Sequence, residues 1–389
     1  MHISLIIAIS AVICAGLLSY VCTPLVRVLA FKIGAIDVPK DDRRMHKIPL
    51  PRIGGLAIFL GFAVTVLAFC RMNDFLVSAL FGALVIVVVG VIDDIFSIPA
   101  IVKLIVQIIA ALIPIYEGVV IRFITLGDKT VLLGGWAVPL TLLWIVGLTN
   151  SINLIDGLDG LACGVSVISS LSLFVVMVVL GDTGSALIVA ILIGACLGFL
   201  PFNTHPAKIF MGDTGAQMLG YMLSLISING VFKMHTVFSF LIPLSIFGLP
   251  IFDTLFAVIR RLIHGKSPFS SDKGHLHHRL INMGFGQRKS VRILYAICGL
   301  LGISAILLTL NYYIPAALIL ISGFALFFVS MFVYKNPATR ALTAIFDSED
   351  AVESGIKIAT EEDFTNRVKN LAEGAENKDS GEEKTEEDC

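Results

Sequence analysis

Long apolar runs separated by short polar stretches fill most of this chain, and the runs are continuous, with no alternation at every second position. Continuous runs predict helices, whereas a period of two would predict the strands of a closed barrel. A hydrocarbon core of about 30 Å takes roughly 20 apolar residues per helix, with shorter runs tolerated. Eleven spans are expected on that rule, near residues 3–24, 53–70, 75–92, 100–119, 136–150, 161–180, 185–202, 214–230, 237–259, 291–310 and 314–334. The run at 136–150 is short, and ten is the alternative count. The first run has no basic stretch before it and no small-residue cleavage site after it, so it reads as a retained span. Between residues 121 and 135, β-branched residues flank Gly127-Asp128, the pattern of a small hairpin.

Composition agrees with an all-α polytopic membrane protein. The 389 residues are 57% hydrophobic and 15% charged, with mean hydropathy +0.92, which excludes an ordinary soluble domain. The net charge of −1 conceals an asymmetry, because residues 1–340 carry 23 Lys and Arg against 14 Asp and Glu, and residues 341–389 carry 5 against 15. An integral membrane domain over 1–335 and an acidic, disordered tail over 336–389 are therefore expected. With the N-terminus outside, the inner loops collect Arg27, Lys32, Lys40, Arg43, Arg44, Lys47 and Arg52, and then eight more basic residues between Arg260 and Arg292. The outer loops hold Arg71, Arg122, Lys129 and Lys233. The excess of positive charge places the N-terminus outside and the tail in the cytoplasm. Six of the seven cysteines lie in or beside apolar runs without metal-ligand spacing and read as small hydrophobes.

Polar groups inside such a chain are costly and tend to be placed for a reason. On this topology four polar clusters meet on the cytoplasmic side. Asp93-Asp94 ends the third span ahead of Pro99, which suits the start of the next helix; two adjacent carboxylates repel unless a cation or proton intervenes, and a solvated helix end is the plainer alternative. Asn153, Asp156 and Asp159 recur every three residues and would share a helix face, but Gly157 and Gly160 predict a break in the backbone. Their oxygens suit a hard cation such as Mg²⁺, while an Asx turn explains them without one. Asp213, within Phe210-Met211-Gly212-Asp213-Thr214-Gly215, reads either as an N-cap or as a metal ligand. His275, His277, His278 and Arg279 sit in the long basic loop between Arg260 and Arg292, which can bind lipid headgroups or clamp a phosphorylated substrate. Zinc is disfavoured, since no cysteine joins the histidines. A second basic loop, Lys32 to Arg52, runs into Gly54-Gly55, a pair that hints at close packing. Asp253, two turns inside the ninth span, reads as structural, paired to a basic neighbour.

These motifs, in this order, resemble the polyprenyl-phosphate N-acetylhexosamine-1-phosphate transferases, of glycosyltransferase family 4 type, over roughly residues 30–335. The resemblance implies transfer of a sugar-1-phosphate from a UDP-sugar to undecaprenyl phosphate, with release of UMP, and a need for Mg²⁺ or Mn²⁺. The interrupted run His275-Leu276-His277-His278-Arg279 resembles the branch that uses UDP-N-acetylglucosamine, initiating teichoic acid, common-antigen or O-antigen synthesis. Three consecutive histidines would point instead to the muramoyl-pentapeptide branch of peptidoglycan synthesis. By resemblance, Asn153 and Asp213 hold the metal, Asp159 binds the uracil with Phe210 as stacking partner, and Lys47 and Lys103 contact phosphate. His275, His277, His278 and Arg279 grip the donor, with His278 counted among the catalytic residues together with Asp93, Asp94 and Asp156. Asp93 and Asp94 would orient or deprotonate the lipid phosphate, which is already largely dianionic at neutral pH, so direct attack is favoured over a covalent intermediate. The implied location is a bacterial cytoplasmic membrane with the site facing the cytoplasm; a homodimer is compatible with this, and no nucleic acid partner is expected.

A secondary transporter is the competing class, because intramembrane acids and broken helices are transporter features. A transporter site should lie near the midplane between internal repeats, whereas these acids fall at span ends and no repeat is visible. A lipid-binding scaffold would leave the ordered acids unexplained.

Overall fold

The computed structural model describes residues 5–37, 49–126, 129–232, 238–265, 267 and 274–332; the acidic tail and Lys47 lie outside these residues. Helices α1 (Leu5–Ile33), α2 (Gly55–Phe69), α3 (Asp74–Phe96), α4 (Ala100–Tyr116), α5 (Ala137–Ile155), α6 (Leu161–Val179), α7 (Thr183–Asn203) and α8 (Gly212–Ser227) follow one another. After them come α9 (Leu241–Ile246), α10 (Gly248–Ile263), the short α11 (Leu276–Asn282), α12 (Gln287–Thr309) and α13 (Tyr313–Phe332). Among the described residues every apolar run identified in the sequence is helical, and seven helices are long and apolar enough to cross a membrane. The chain is thus an all-α polytopic membrane protein, with outward-facing apolar side chains such as Ile6, Leu17, Leu25 and Leu143 suited to lipid.

The ninth run is not one helix. It divides at Phe247 into α9 and α10, because Pro250 has no N–H to donate to the carbonyl four residues back and Gly248 adds no side chain to hold the turn. Pro99 precedes α4 as its position suggested, and α5 stops at Ile155 ahead of the two glycines. The expected hairpin is present as β3 (Phe123–Leu126) paired antiparallel with β4 (Lys129–Leu132), after two short strands, β1 (Ile36–Asp37) and β2 (Leu50–Pro51), that close the base of the Lys32–Arg52 loop.

Small residues set the helix spacing. A side chain at Gly194 would meet the Val12 carbonyl at 2.3 Å and one at Gly198 the Gly16 carbonyl at 2.1 Å, so α1 and α7 touch backbone to backbone. Helix α8 lies almost wholly buried among α2, α3, α5 and α6. At its N-terminal end, a Cβ on Gly55 would stand 2.0 Å from Gly215 Cα, and one on Gly90 2.5 Å from Thr214 Cα. The glycine pair after the Lys32–Arg52 loop therefore opens α2 by close packing, as its sequence suggested, and the packing brings Asp93 and Asp94 onto the start of α8.

Candidate active site

Helix α8 begins at Gly212 with φ +71, a left-handed backbone that favours glycine. A Cβ there would also strike the Arg52 carbonyl and the Asp94 carboxylate, at 1.8 and 2.4 Å. Asp94 supplies the helix cap from another helix. Its Oδ1 accepts from Asp213 N at 3.1 Å, and its Oδ2 accepts from Thr214 N at 3.2 Å and Thr214 Oγ1 at 2.7 Å. The acid within the first turn, Asp213, is thus not its own helix's cap. Arg52 stands 3.9 Å from Asp94, whose side chain is fully buried.

Asp93 faces the other way. Its Oδ1 accepts from Ile98 N at 2.6 Å, tying off the turn that joins α3 to α4, and its Oδ2 lies 2.9 Å from Lys103 Nζ. Lys103 reaches Asp213 Oδ2 at the same distance, so one ammonium bridges α3 and α8. That same Asp213 oxygen also accepts from Gln217 Nε2 at 2.9 Å and from Asn153 Nδ2 at 3.4 Å. Gln217 continues into a buried carboxamide chain, accepting from Gln107, which in turn accepts from Asn150 Nδ2 at 2.6 Å. Because the Asp213 carboxylate only accepts, it orients these amides head to tail. The Asp93 and Asp213 side chains also meet each other, with Lys103 bridging the two acids.

The α5–α6 turn completes the cluster. Only Asn153 of its three polar residues is helical; Asp156 and Asp159 lie in the break, and Gly160 has φ +75. Asp159 Oδ2 sits 2.8 Å from His205 Nδ1 and 3.1 Å from Ala207 N, which ties the turn to the segment leading into α8. In that segment Phe210 accepts from Gly54 N and donates its own N–H to Pro51. Four carboxyl groups, Asp93, Asp94, Asp156 and Asp213, thus gather around two cations, Lys103 and Arg52. The imbalance shows at Asp156, whose carboxyl is pushed up to about 8, by burial first and then by the charges of Asp213 and Asp94.

The histidine loop closes on the same turn. His277 packs directly over Gly157, where a Cβ would lie 2.2 Å from its Nε2. Burial, reinforced by His278, holds His277 down near 3, so its ring is neutral at physiological pH. His275 is buried as well, with Nδ1 2.8 Å from Asp253 Oδ2, while Leu276 N donates to Asp253 Oδ1 at 2.9 Å. Asp253 is paired, as an acid inside an apolar helix must be, but its partner lies 22 residues on and is not the nearby Arg260-Arg261. His278 and Arg279 are half-buried on the opposite face of α11, with Arg279 Nε donating to the Gly274 carbonyl. Gly157→Ala should drive His277 off the turn and lower transfer by about a hundredfold, the scale of a 1 Å misplacement. Unchanged initial rates at saturating acceptor would show that the contact is dispensable.

Of the sequence-predicted residues, Asp93, Asp94, Lys103, Asn153 and Asp213 meet at the start of α8, Asp156 and Asp159 lie in the α5–α6 turn, and His275, His277, His278 and Arg279 pack together against that turn through His277, with Phe210 in the segment leading into α8. Lys47 lies outside the described residues. Arg52, Gln107, Thr214, Gln217 and Asp253 complete the arrangement; Gln217, four residues after Asp213 on one helix face, carried a local signal, and the others acquire partners only in three dimensions.

The family model for glycosyl transferase family 4 matches residues 76–231, the stretch that carries Asp93 through Asp213. A Bacillus subtilis protein named a probable undecaprenyl-phosphate N-acetylglucosaminyl 1-phosphate transferase is 45% identical over 80% of this chain and 86% of its own length. The chain belongs to glycosyl transferase family 4. A Mycolicibacterium smegmatis decaprenyl-phosphate N-acetylglucosaminephosphotransferase is 37% identical over 75% of this chain and 79% of its own. The Escherichia coli undecaprenyl-phosphate alpha-N-acetylglucosaminyl 1-phosphate transferase is 28% identical over 81% and 86%. In this member of family 4 the matched segment supplies the whole acid cluster, and the histidine loop lies beyond it.

Proposed function

We propose that this chain transfers N-acetylglucosamine-1-phosphate from UDP-N-acetylglucosamine to undecaprenyl phosphate, releasing UMP, as the first membrane step of an envelope polysaccharide such as teichoic acid, common antigen or O-antigen. The observation that carries this reading is the convergence of Asp93, Asp94, Asp156 and Asp213 with Lys103 at the helix ends of an apolar bundle. Donor and acceptor are both anionic, and bringing them together is a problem of charge and position. The relatives named above share the N-acetylglucosamine specificity in their names, and the interrupted histidine run agrees with it.

The residues fit Mg²⁺ or Mn²⁺. Their donor set is hard oxygen, the acids outnumber the local cations, and the Asn153 carboxamide lies within 3.4 Å of the Asp213 carboxylate. Among the described residues no three His, Cys, Asp or Glu side chains form a ready metal cage, which suits an ion that takes one or two carboxylates and completes its shell with water and substrate phosphates. When bound, the cation would neutralise charge on the pyrophosphate as UMP departs. An oxygen of the acceptor phosphate attacks the sugar-bearing phosphorus, and the P–O bond to UMP breaks. No strong base is required of the chain, because the acceptor is already largely dianionic.

The protein's contribution is position. Asp94 has its lone pairs directed at Asp213 N, Thr214 N and Thr214 Oγ1, so it holds Asp213 in place instead of touching the acceptor. Asp93 fixes Lys103, whose ammonium is set to meet phosphate. Asp159 and Phe210 border the uracil. His278 and Arg279 contact the donor, whereas His275 and His277 are too buried to do so and support them. Eleven spans, an outer N-terminus and a cytoplasmic site accord with the distribution of basic residues, and a bacterial cytoplasmic membrane is the setting.

The test is incorporation of label from UDP-N-acetylglucosamine into undecaprenyl phosphate by the purified protein with Mg²⁺, with the muramoyl-pentapeptide nucleotide as competitor at equal concentration. Consumption of the sugar nucleotide alone is expected; consumption of the pentapeptide donor would reassign the branch.

A further inference from the structure

We propose that Asp253 and His275 form a latch that positions His278 and Arg279 against the donor, so that both are positioning residues for the transfer. This rests on the functional reading above. Asp253 lies in the second turn of α10, within an apolar stretch, and is 6% exposed. Both of its oxygens are engaged by the first residues of the histidine loop, Oδ2 by His275 Nδ1 and Oδ1 by Leu276 N. A carboxylate only accepts, so Nδ1 carries the proton of the His275 ring and the tautomer is set. The two bonds fix the point and the direction in which α11 begins.

From that start, α11 divides its side chains. Leu276, His277 and Leu280 are buried, and His278 and Arg279 are half-buried on the other side. The His275 and His277 rings lie 5.9 Å apart and 9° from parallel, and His277 is 4.2 Å from His278, so the three rings pack in sequence from the latch towards the half-exposed side. His277 rests on Gly157, one residue from Asp156, and faces a small cavity that it lines with Asp253, Ile155 and Leu161. The latch is therefore connected through His277 to the turn that carries Asp156. His275 and His277, 4% and 3% exposed, are too enclosed to reach a nucleotide, which leaves His278 and Arg279 as the loop's donor-facing pair. A buried acid–imidazole pair costs desolvation that two apolar side chains would not, and the best-attested return for such a cost is a defined register. Here the register is that of α11 relative to α5 and α6.

The experiment uses the full chain in detergent. Asp253→Ala and His275→Ala should each raise the donor KM by about tenfold, the scale of one lost charged hydrogen bond, with acceptor KM unchanged. Asp253→Asn, which keeps an acceptor for Leu276 N and lets the His275 tautomer exchange, should restore most of the loss. In a double-mutant cycle Asp253→Ala should add little to His275→Ala or to Arg279→Ala, since all three act through one element. Hydrogen exchange should be faster across residues 275–282 in Asp253→Ala and close to wild type in Asp253→Asn. An unchanged donor KM, additive effects in the cycle, or unchanged exchange across α11 would overturn the latch. A wild type that transfers nothing from UDP-N-acetylglucosamine, with the exchange difference intact, would overturn the donor assignment and leave the latch standing.

Discussion

Asp213→Ala is expected to lower transfer by at least about a hundredfold while the protein inserts and purifies normally. One oxygen of Asp213 holds Lys103, Gln217 and Asn153 together. Removing the side chain leaves Lys103 paired to Asp93 alone and takes away the carboxylate best placed to hold a divalent ion on the donor pyrophosphate. The methyl group that remains leaves Gln217 and Asn153 without their shared acceptor, so a modest fall in melting temperature is expected beside the much larger loss of transfer. Two measurements separate the parts of this expectation. Label transfer at rising Mg²⁺ reads turnover, and Mn²⁺ binding to the substrate-free protein reads the site itself. Full turnover by the mutant in metal-stripped buffer with EDTA would remove the metal role altogether.

Asp94→Asn is expected to reduce both stability and activity, a double effect that separates it from Asp93→Asn. The Asp94 carboxylate accepts three hydrogen bonds at the start of α8, and all three donors, Asp213 N, Thr214 N and Thr214 Oγ1, are on the helix that carries the proposed metal ligand. An amide in its place turns an N–H₂ towards at least one of those donors, which leaves a buried N–H unpaired and costs about 1–3 kcal/mol. The first turn of α8 should loosen, and Asp213 with it, so turnover falls along with the melting temperature in detergent. Asp93→Asn keeps an acceptor for Ile98 N and weakens only the grip on Lys103, so it should lower turnover without a comparable loss of stability. Equal melting temperatures for Asp94→Asn and wild type would show that the trans cap contributes nothing.

The one-dimensional pattern determined a good deal of this protein. Apolar runs long enough for a bilayer reported the helices, because hydropathy is a property of a local segment and needs no partner to be read. Gly157 and Gly160 announced the break after Asn153, Pro99 the start of α4, and the flanks of Gly127-Asp128 the hairpin, each through a backbone preference of the residue itself. The acids at the span ends were visible as candidates because carboxylates are expensive in an apolar chain wherever they lie. What each acid does was settled only by the tertiary structure. The sequence pairs Asp93 with Asp94 as neighbours, yet successive helical residues point about 100° apart. Packing therefore sends one to Lys103 and the other to cap a helix 119 residues away. Asp213 has every local mark of an N-cap and is itself positioned by a cap from α3. Asp253 declared its need for a partner, but whether that was Arg260, Arg261 or His275 depended on how the loop after α10 folds back. The division at Phe247 likewise split what hydropathy reads as one run, since Pro250 interrupts hydrogen bonds without interrupting apolarity. Partner choice across tens of residues is decided by the geometry of close-packed glycines and helix ends, and that geometry has no period along the chain.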